Sequence, residues 1–432
     1  MTMENPERTQ QPAIQTISSI HIARAQQHTL SNGLPVYAIE SGTEDIVKVD
    51  LLFRAGNWFQ PKPLVAEATC EMLSEGSQNY TSRQIAAQMD YYGAFLRTAA
   101  NKDVANVSLL TLKKYLSPTL QVLADVVKKP TFPQQELITY LNNKKQHYQL
   151  EYTKVNTLSK VHFNEALFGS HHPYGRILQL EDHDQVGRDD LGDFHQKHYT
   201  ADQCALLVTG KIDESVFQSL EEQLGGEDWK GSGNTIQTPD FRPFTTTETE
   251  VFTPKPDAVQ SALRIGKVLF NKRHPDFPGL QVVNTILGGY FGSRLMKKIR
   301  EEKGYTYGIF SVLVPMVNEG YLTIASEVGA NVCRKAIDAI YEEIKKLREE
   351  KVGQPELTMV RNYMMGQLLR AFDGPLPTAS TYMSLMEMNL DEDYYQRVVY
   401  TVNNITPEDI RELANKYLNE QEMVRSVAGK CE

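Results

Sequence analysis

Apolar and polar residues alternate through positions 46–53, and Thr29-Leu30-Ser31-Asn32-Gly33-Leu34-Pro35-Val36-Tyr37 sets an Asn-Gly pair between two apolar runs. Asn-Gly supplies the positive φ that a two-residue turn needs, so this segment predicts a hairpin and 46–53 a further strand. From Pro63 the period changes. Pro63 suits a first helical turn, residues 66–73 continue the helix, and Gly76 is expected to end it in a left-handed cap. A second helix is expected over 82–92 with Ser82 as its N-cap. Residues 94–110 read as two strands joined by the polar turn Asn101-Lys102-Asp103, and 116–127 and 134–152 as helices, the latter polar on one face.

Residues 225–249 interrupt every periodic pattern with Gly225-Gly226, Gly231-Ser232-Gly233, Pro239, Pro243 and a run of threonines. Such composition predicts a linker joining independent cores, with one half over 1–224 and another over 250–432. Beyond it the order recurs: a strand near 261–266, a helix from Pro278 into Gly288-Gly289, a helix over 294–303, strands around 307–314 and 321–327, and long helices over 333–349 and 356–371. Individual residues recur as well. Asp190-Leu191, Lys197, Tyr199 and Gly210-Lys211 return about 219 positions later as Asp409-Ile410, Lys416, Tyr417 and Gly429-Lys430. Glu136-Leu137 returns as Glu356-Leu357, and Gly93 as Gly304. A period near half the chain exceeds the ~20–50 residues of solenoid repeats and predicts a duplicated domain. Each half is expected to be an α+β unit with a mainly antiparallel sheet and several helices.

The chain has 432 residues, which divides into two units of ordinary domain size. A net charge of -9 and the lack of a basic stretch interleaved with aromatics argue against a nucleic-acid partner. Cys70, Cys204, Cys333 and Cys431 are scattered without CxxC spacing, so isolated thiols are expected rather than a disulfide framework or a cysteine zinc site. The polar stretch 1–15 has no apolar core of a signal peptide, and no window approaches the ~18 apolar residues of a membrane span. A cytoplasmic protein with no membrane contact is the resulting expectation.

Four segments carry a family resemblance: Leu30-Ser31-Asn32-Gly33, Phe53-Arg54-Ala55-Gly56, Glu165-Ala166-Leu167-Phe168 with His172-Pro173-Tyr174-Gly175-Arg176, and Gly288-Gly289 through Ser293-Arg294-Leu295 to Tyr307. In that order the chain resembles the insulinase/pitrilysin zinc peptidases, in particular small bacterial members related to mitochondrial processing peptidase. Active members of that family carry H-x-x-E-H on the first helix of the N-terminal half. Histidines at i and i+4 share a helix face and hold zinc, and the glutamate serves as general base. Aligned on Gly76-Ser77, this chain reads Glu67-Ala68-Thr69-Cys70-Glu71. Both imidazoles are carboxylates here, and the base is Cys70. The third ligand, a glutamate in the family, falls near Gln146-His147-Tyr148-Gln149, where there is no carboxylate. The resemblance therefore implies no metal and no cofactor in this chain. Glu67 and Glu71 are expected as two solvated acids, with a hard cation between them as the lesser alternative.

From the second half, active relatives contribute an Arg and a Tyr separated by six residues, and Arg300-Glu301-Glu302-Lys303-Gly304-Tyr305-Thr306-Tyr307 keeps that spacing. A guanidinium fork and a neutral phenol suit a peptide carbonyl that gains negative charge. The bland alternative is a helix-end arginine paired with Glu301 or Glu302 and a tyrosine at a core edge. Gly288, Gly289 and Asn101 are further expected substrate-binding positions, since an edge strand near 96–101 can add a peptide backbone. His171, His172, His195 and His198 read as surface or capping residues.

The resemblance thus implies a noncatalytic but required subunit of a zinc metalloendopeptidase. Its partner would be a homologous subunit with H-x-x-E-H, carrying the zinc, and its substrates unfolded peptides. A catalytically inert structural or peptide-binding homologue and a hydrolase using Cys70 are the alternatives.

Overall fold

A computed structural model describes residues 17, 19–20, 22–231, 233, 238–241 and 249–431. In the first half, strands β1 (Gln26–Thr29), β2 (Pro35–Glu40) and β3 (Ile46–Phe53) precede helices α1 (Val65–Met72) and α2 (Ser82–Tyr92). Strands β4 (Phe95–Ala100) and β5 (Ala105–Leu112) follow, then α3 (Leu116–Lys128), α4 (Gln134–Glu151), α5 (Val155–Phe168) and α6 (Arg188–His198), and the half closes with β6 (Cys204–Gly210) and α7 (Glu214–Leu224). The second half contains β7 (Glu250–Pro254), β8 (Gln260–Leu269), α8 (Phe277–Asn284), β9 (Thr306–Pro315) and β10 (Gly320–Gly329). It ends with α9 (Cys333–Glu349), α10 (Gln354–Ala371), α11 (Pro375–Glu387), α12 (Tyr394–Asn404), α13 (Pro407–Tyr417) and β11 (Val424–Gly429).

The strands form two sheets, ordered β1-β2-β6-β3-β5-β4 and β7-β11-β8-β10-β9. Without β1 they match strand for strand. β2 lies parallel to β6 as β7 does to β11, and the remaining neighbours in both sheets are antiparallel. The duplication extends to single dihedrals. Gly93 and Gly304, paired by the sequence repeat, have φ of 62° and 64° and each reverses the chain from a helix into an edge strand. A side chain with Cβ would be strained in that left-handed conformation.

The Asn32-Gly33 turn produces the hairpin it predicts, with Thr29 opposite Pro35. Three local expectations shift. Thr81, not Ser82, caps α2: its side chain accepts from the Gln84 backbone N–H, and Gln84 reaches back in a capping box. Pro63 lies just before α1, whose N-cap is Leu64 at φ 69°. Gly76 is not a left-handed cap. It follows a short 3₁₀ turn at φ 157°, where a Cβ would crowd Pro133 Cγ at 2.9 Å and Thr131 Oγ1 at 3.0 Å.

The two cores are not independent. The helix pair α4–α5 corresponds to α10–α11, and the second helix of each pair leaves its own sheet: α5 packs on β8 and β11, while α11 packs on β3 and β6. Phe163 and Phe168 of α5 meet Tyr321 of β10 edge-on. Conversely, Ile39 and Leu207 of the first sheet share a buried cluster with Ala379, Tyr382 and Leu385 of α11. The β4–β5 turn completes the contact: Asp103 accepts from the Val317 N–H at 3.1 Å and from the Tyr174 hydroxyl, and both of its partners are buried or half-buried.

The expected linker packs where it is described. Trp229 is buried and donates to the Tyr199 carbonyl at 2.9 Å, Trp58 donates to the Pro239 carbonyl at 3.2 Å, and Phe241 stands edge-on to Trp58. Its threonine run lies outside the described residues, as does the leader over 1–15. The expectation of isolated thiols is corrected for one pair. Cys333, at the start of α9, forms a disulfide with Cys431, with Cα atoms 5.2 Å apart. A separation of 98 residues hides that pairing from sequence spacing; the swing of β11 back into its sheet creates it.

Candidate functional site

Helix α1 lies on the inner face of the first sheet with Val65, Ala66, Ala68, Thr69, Cys70 and Met72 buried, leaving Glu67 and Glu71 on its other side. These two carboxylates, one turn apart, face α4. Lys144 of α4 reaches between them, its Nζ 2.6 Å from Glu67 Oε1 and 3.2 Å from Glu71 Oε1. All three side chains are about one-third exposed. The ammonium also stands 5.3 Å from the ring centre of Tyr140, one turn earlier on α4. The expectation of two solvated acids is therefore corrected: they are the two arms of an ion pair. Carboxylates this close repel one another, and a cation between them offsets that repulsion.

These residues do not fit a zinc ion. A positively charged ammonium stands among the donors, and no group of three His, Cys, Asp or Glu side chains is arranged to hold a metal among the described residues. The surroundings of Cys70 do not favour a thiolate either. It is fully buried, and burial pushes its thiol up to about 12, with the negative charge of Glu71 adding a smaller push. Burial, rather than the flanking carboxylates, is the main reason it stays a thiol.

Arg300 and Tyr307 flank the Gly304 reversal of the second half. Arg300 lies in a helix segment, Met296–Glu302, with π-type hydrogen bonding; such wide turns recur at functional sites. Its guanidinium carbon stands 4.7 Å from the ring centre of Phe291. Glu302 instead pairs with Lys298 at 2.7 Å, and Arg300 has no ion pair among the described residues. Tyr307 is 90% exposed, and its hydroxyl has no hydrogen-bond partner among the described residues. The bland alternative of a salt-bridged arginine and a core-edge tyrosine thus fails at both residues.

The start of β9 is fixed from beneath. Thr306 donates to the Glu327 carbonyl at 2.7 Å and accepts from the Gly308 N–H at 3.1 Å, while the β9–β10 register slips between Ser326 and Val328. A bulge of this kind re-aims a side chain at a sheet edge. Tyr307 consequently lines a pocket of ≈ 300 Å³ with Arg264, Phe310, Asn156 and Glu327.

The other candidates sit elsewhere. Gly288 lies in the π-type segment Thr285–Gly289 against β9, where a Cβ would stand 2.6 Å from the Ser311 N. Its close approach is to this chain's own strand. Gly289 faces the Asn284 carbonyl, 3.2 Å from the position of a Cβ. Asn101 directly follows the edge strand β4, but its side chain is engaged: Oδ1 accepts from the N–H groups of Asp103 and Val104 at 2.7 and 2.9 Å, and Nδ2 donates to Glu387 at 3.0 Å.

Three histidines read as surface or capping residues are interior ties instead. His198 is buried and meets the Arg54 carbonyl at 3.0 Å, and half-buried His195 meets the Val127 carbonyl at 2.7 Å. His172 is buried among Trp58, Phe168, Tyr174 and Phe241. The residue that sequence reasoning missed is Lys144. Its only signal was a basic residue on the α4 face opposite the two acids, one turn beyond Tyr140.

Comparison with known proteins finds relatives across both halves of the chain. The pattern described as "Insulinase (Peptidase family M16)" matches residues 36–172, and that of "Peptidase M16 inactive domain" matches residues 185–364. An uncharacterized zinc protease, YmxG, of Bacillus subtilis is 24% identical over 81% of this chain and 84% of its own length. A non-peptidase homolog of Helicobacter pylori is 22% identical over 74% of each chain. Subunits of mitochondrial processing peptidase are also among the relatives. The crystal structure of a peptidase M16 inactive domain from Pseudomonas fluorescens superposes with a TM-score of 0.85 at 24% identity, covering 94% of this chain and 98% of that one. With both halves matched, the chain belongs to the insulinase (peptidase M16) family.

Proposed function

We propose that this chain is the noncatalytic but required subunit of a heterodimeric zinc metalloendopeptidase, paired with a homologous subunit that carries H-x-x-E-H. One contrast carries the reading. In the first half the Glu67–Lys144–Glu71 ion pair stands where the resemblance would put metal ligands, while the second half has Arg300 and Tyr307 without intramolecular ion pair or hydrogen bond among the described residues. A phenol left in water costs nothing to retain, but one aimed from a bulged strand, with a guanidinium on the helix segment before it, is suited to a carbonyl oxygen that gains charge.

In this reading the metal and the attacking water belong to the partner. Arg300 and Tyr307 supply donors to the substrate carbonyl, and the peptide lies extended. Strand β4 is an edge strand, so its outward backbone groups can pair with a peptide, and Gly288 and Gly289 keep the wall behind β9 thin. Arg300 would shift from the Phe291 ring to the carbonyl when the substrate arrives. The compartment in this reading is the cytoplasm. No described helix is long and apolar enough to cross a membrane.

The test uses purified chains: this one alone, an H-x-x-E-H homologue from the same organism alone, and the mixture, each assayed for bound zinc and for cleavage of unfolded peptides. Zinc and activity are expected to require the homologue, and full activity to require both. Stoichiometric zinc with proteolysis in this chain alone would overturn the reading, and so would a homologue whose rate is unchanged by adding it.

A further inference from the structure

Two carboxylates one helical turn apart, each two-thirds buried, need a counter-charge, and here a single side chain on a facing helix supplies it. Lys144 Nζ is 2.6 Å from Glu67 and 3.2 Å from Glu71. The Tyr140 ring covers it at 5.3 Å, and the buried Tyr140 hydroxyl lies beside the Glu71 carboxylate without a well-formed hydrogen bond. Burial, with the nearby charges of Glu67 and Glu71, pushes that phenol upward and keeps it neutral. The locus therefore has two anionic donors, one neutral phenol oxygen and one tethered cation. A single ammonium leaves the carboxylates with a net charge of minus one, and Lys102 contributes a further positive charge near Glu67.

We propose that Lys144 is a resident cation: it occupies the position a divalent ion would take between Glu67 and Glu71, closes the locus to such ions, and pins α4 to α1. A hard dication favours carboxylate oxygens, but it would have to displace an ammonium that cannot diffuse away. The locus is thus a metal site held shut by its own chain. This inference concerns the isolated chain and does not depend on a partner, so its outcome and that of the heterodimer reading are separable.

The experiment measures Zn²⁺ and Mn²⁺ binding by calorimetry on the full chain and on Lys144→His, Lys144→Arg and Lys144→Met. Lys144→His replaces the cation with a third ligand and is expected to take up one Zn²⁺ per chain. The unaltered chain and Lys144→Arg are expected to take up none, and Glu71→Gln added to Lys144→His should abolish the gain. Lys144→Met is expected to lower the melting temperature, and adding Glu67→Gln with Glu71→Gln should restore most of that loss, because the uncompensated charges disappear with it. This second series covers the case in which Lys144→His fails to fold. Stoichiometric zinc in the unaltered chain overturns the proposal, as does a folded Lys144→His that binds no more zinc than the unaltered chain. Failure of the double glutamine change to restore Lys144→Met also overturns it, because the lysine would then act through packing alone.

Discussion

Burial holds His172 and His198 at about 4, well below the usual imidazole value, with the neighbouring charge of Lys102 assisting at His172 and the Arg54 carbonyl opposing at His198. In the folded chain both are neutral at pH 6, whereas the unfolded chain binds protons there. Unfolding is therefore coupled to proton uptake, and stability should be full above about pH 6.5 and fall steadily toward pH 4. After allowance for partial screening, each contributes on the order of 2 kcal/mol over that window. Thermal melts between pH 7 and pH 4 check this: His172→Phe, which keeps the aromatic packing, should flatten the decline. Tyr307, exposed to solvent, and Arg300, half-buried against Phe291 without an ion pair among the described residues, obey different physics. Tyr307→Phe or Arg300→Ala should leave stability and subunit association unchanged and lower turnover of the reconstituted complex about a hundredfold, the roughly 3 kcal/mol that one donor to a developing oxyanion contributes. Equal rates would favour an inert structural role.

At the scale of elements, the packing of the π-type segment on β9 sets a narrow tolerance. Gly288→Ala places a methyl group 2.6 Å from the Ser311 N and 2.8 Å from its Oγ, so either the segment or the strand must move. A cost of about 1–3 kcal/mol is expected, read by urea unfolding. Because β9 carries Tyr307, peptide cleavage by the reconstituted complex should fall more than stability does. Much of this level was legible beforehand. The Asn-Gly hairpin, β3, the paired strands around 101–103 and the long helices α9 and α10 follow from local chemistry, and the equivalence of Gly93 and Gly304 was visible as a repeat. The exchange of α5 and α11 between sheets was not, because each helix has the same amphipathic requirement whichever sheet satisfies it. Lys144 was hidden for a related reason. A lysine on a polar helix face reads as solvated until the facing helix brings two acids within reach, and Cys333 finds Cys431 only through the return of β11.

For the whole molecule, the exchanged helices and shared clusters make unfolding a joint event. Phe163, 1% exposed on α5 and lodged against the other half's Tyr321, is a direct probe. Phe163→Ala should cost about 3–5 kcal/mol and still give one transition by every spectroscopic probe, whereas separable halves would give two. The Cys333–Cys431 bridge, closing 98 residues, adds stability of about 4 kcal/mol by restricting the unfolded chain. Dithiothreitol should therefore lower the melting temperature of the unaltered chain and have no such effect on Cys333→Ala with Cys431→Ala. The same bridge bears on the cellular setting, since reducing pools oppose it, and alkylation of thiols in freshly lysed cells reports whether the pair is joined there. The reciprocal loan of α5 and α11 has a last consequence. Neither half can swing away without unpacking the helix it has received, so the packing among the described residues opposes an internal hinge. If a peptide must be admitted to an enclosed space, the doorway has to open along the boundary with another molecule, and the speed of entry will be set by that second molecule's grip.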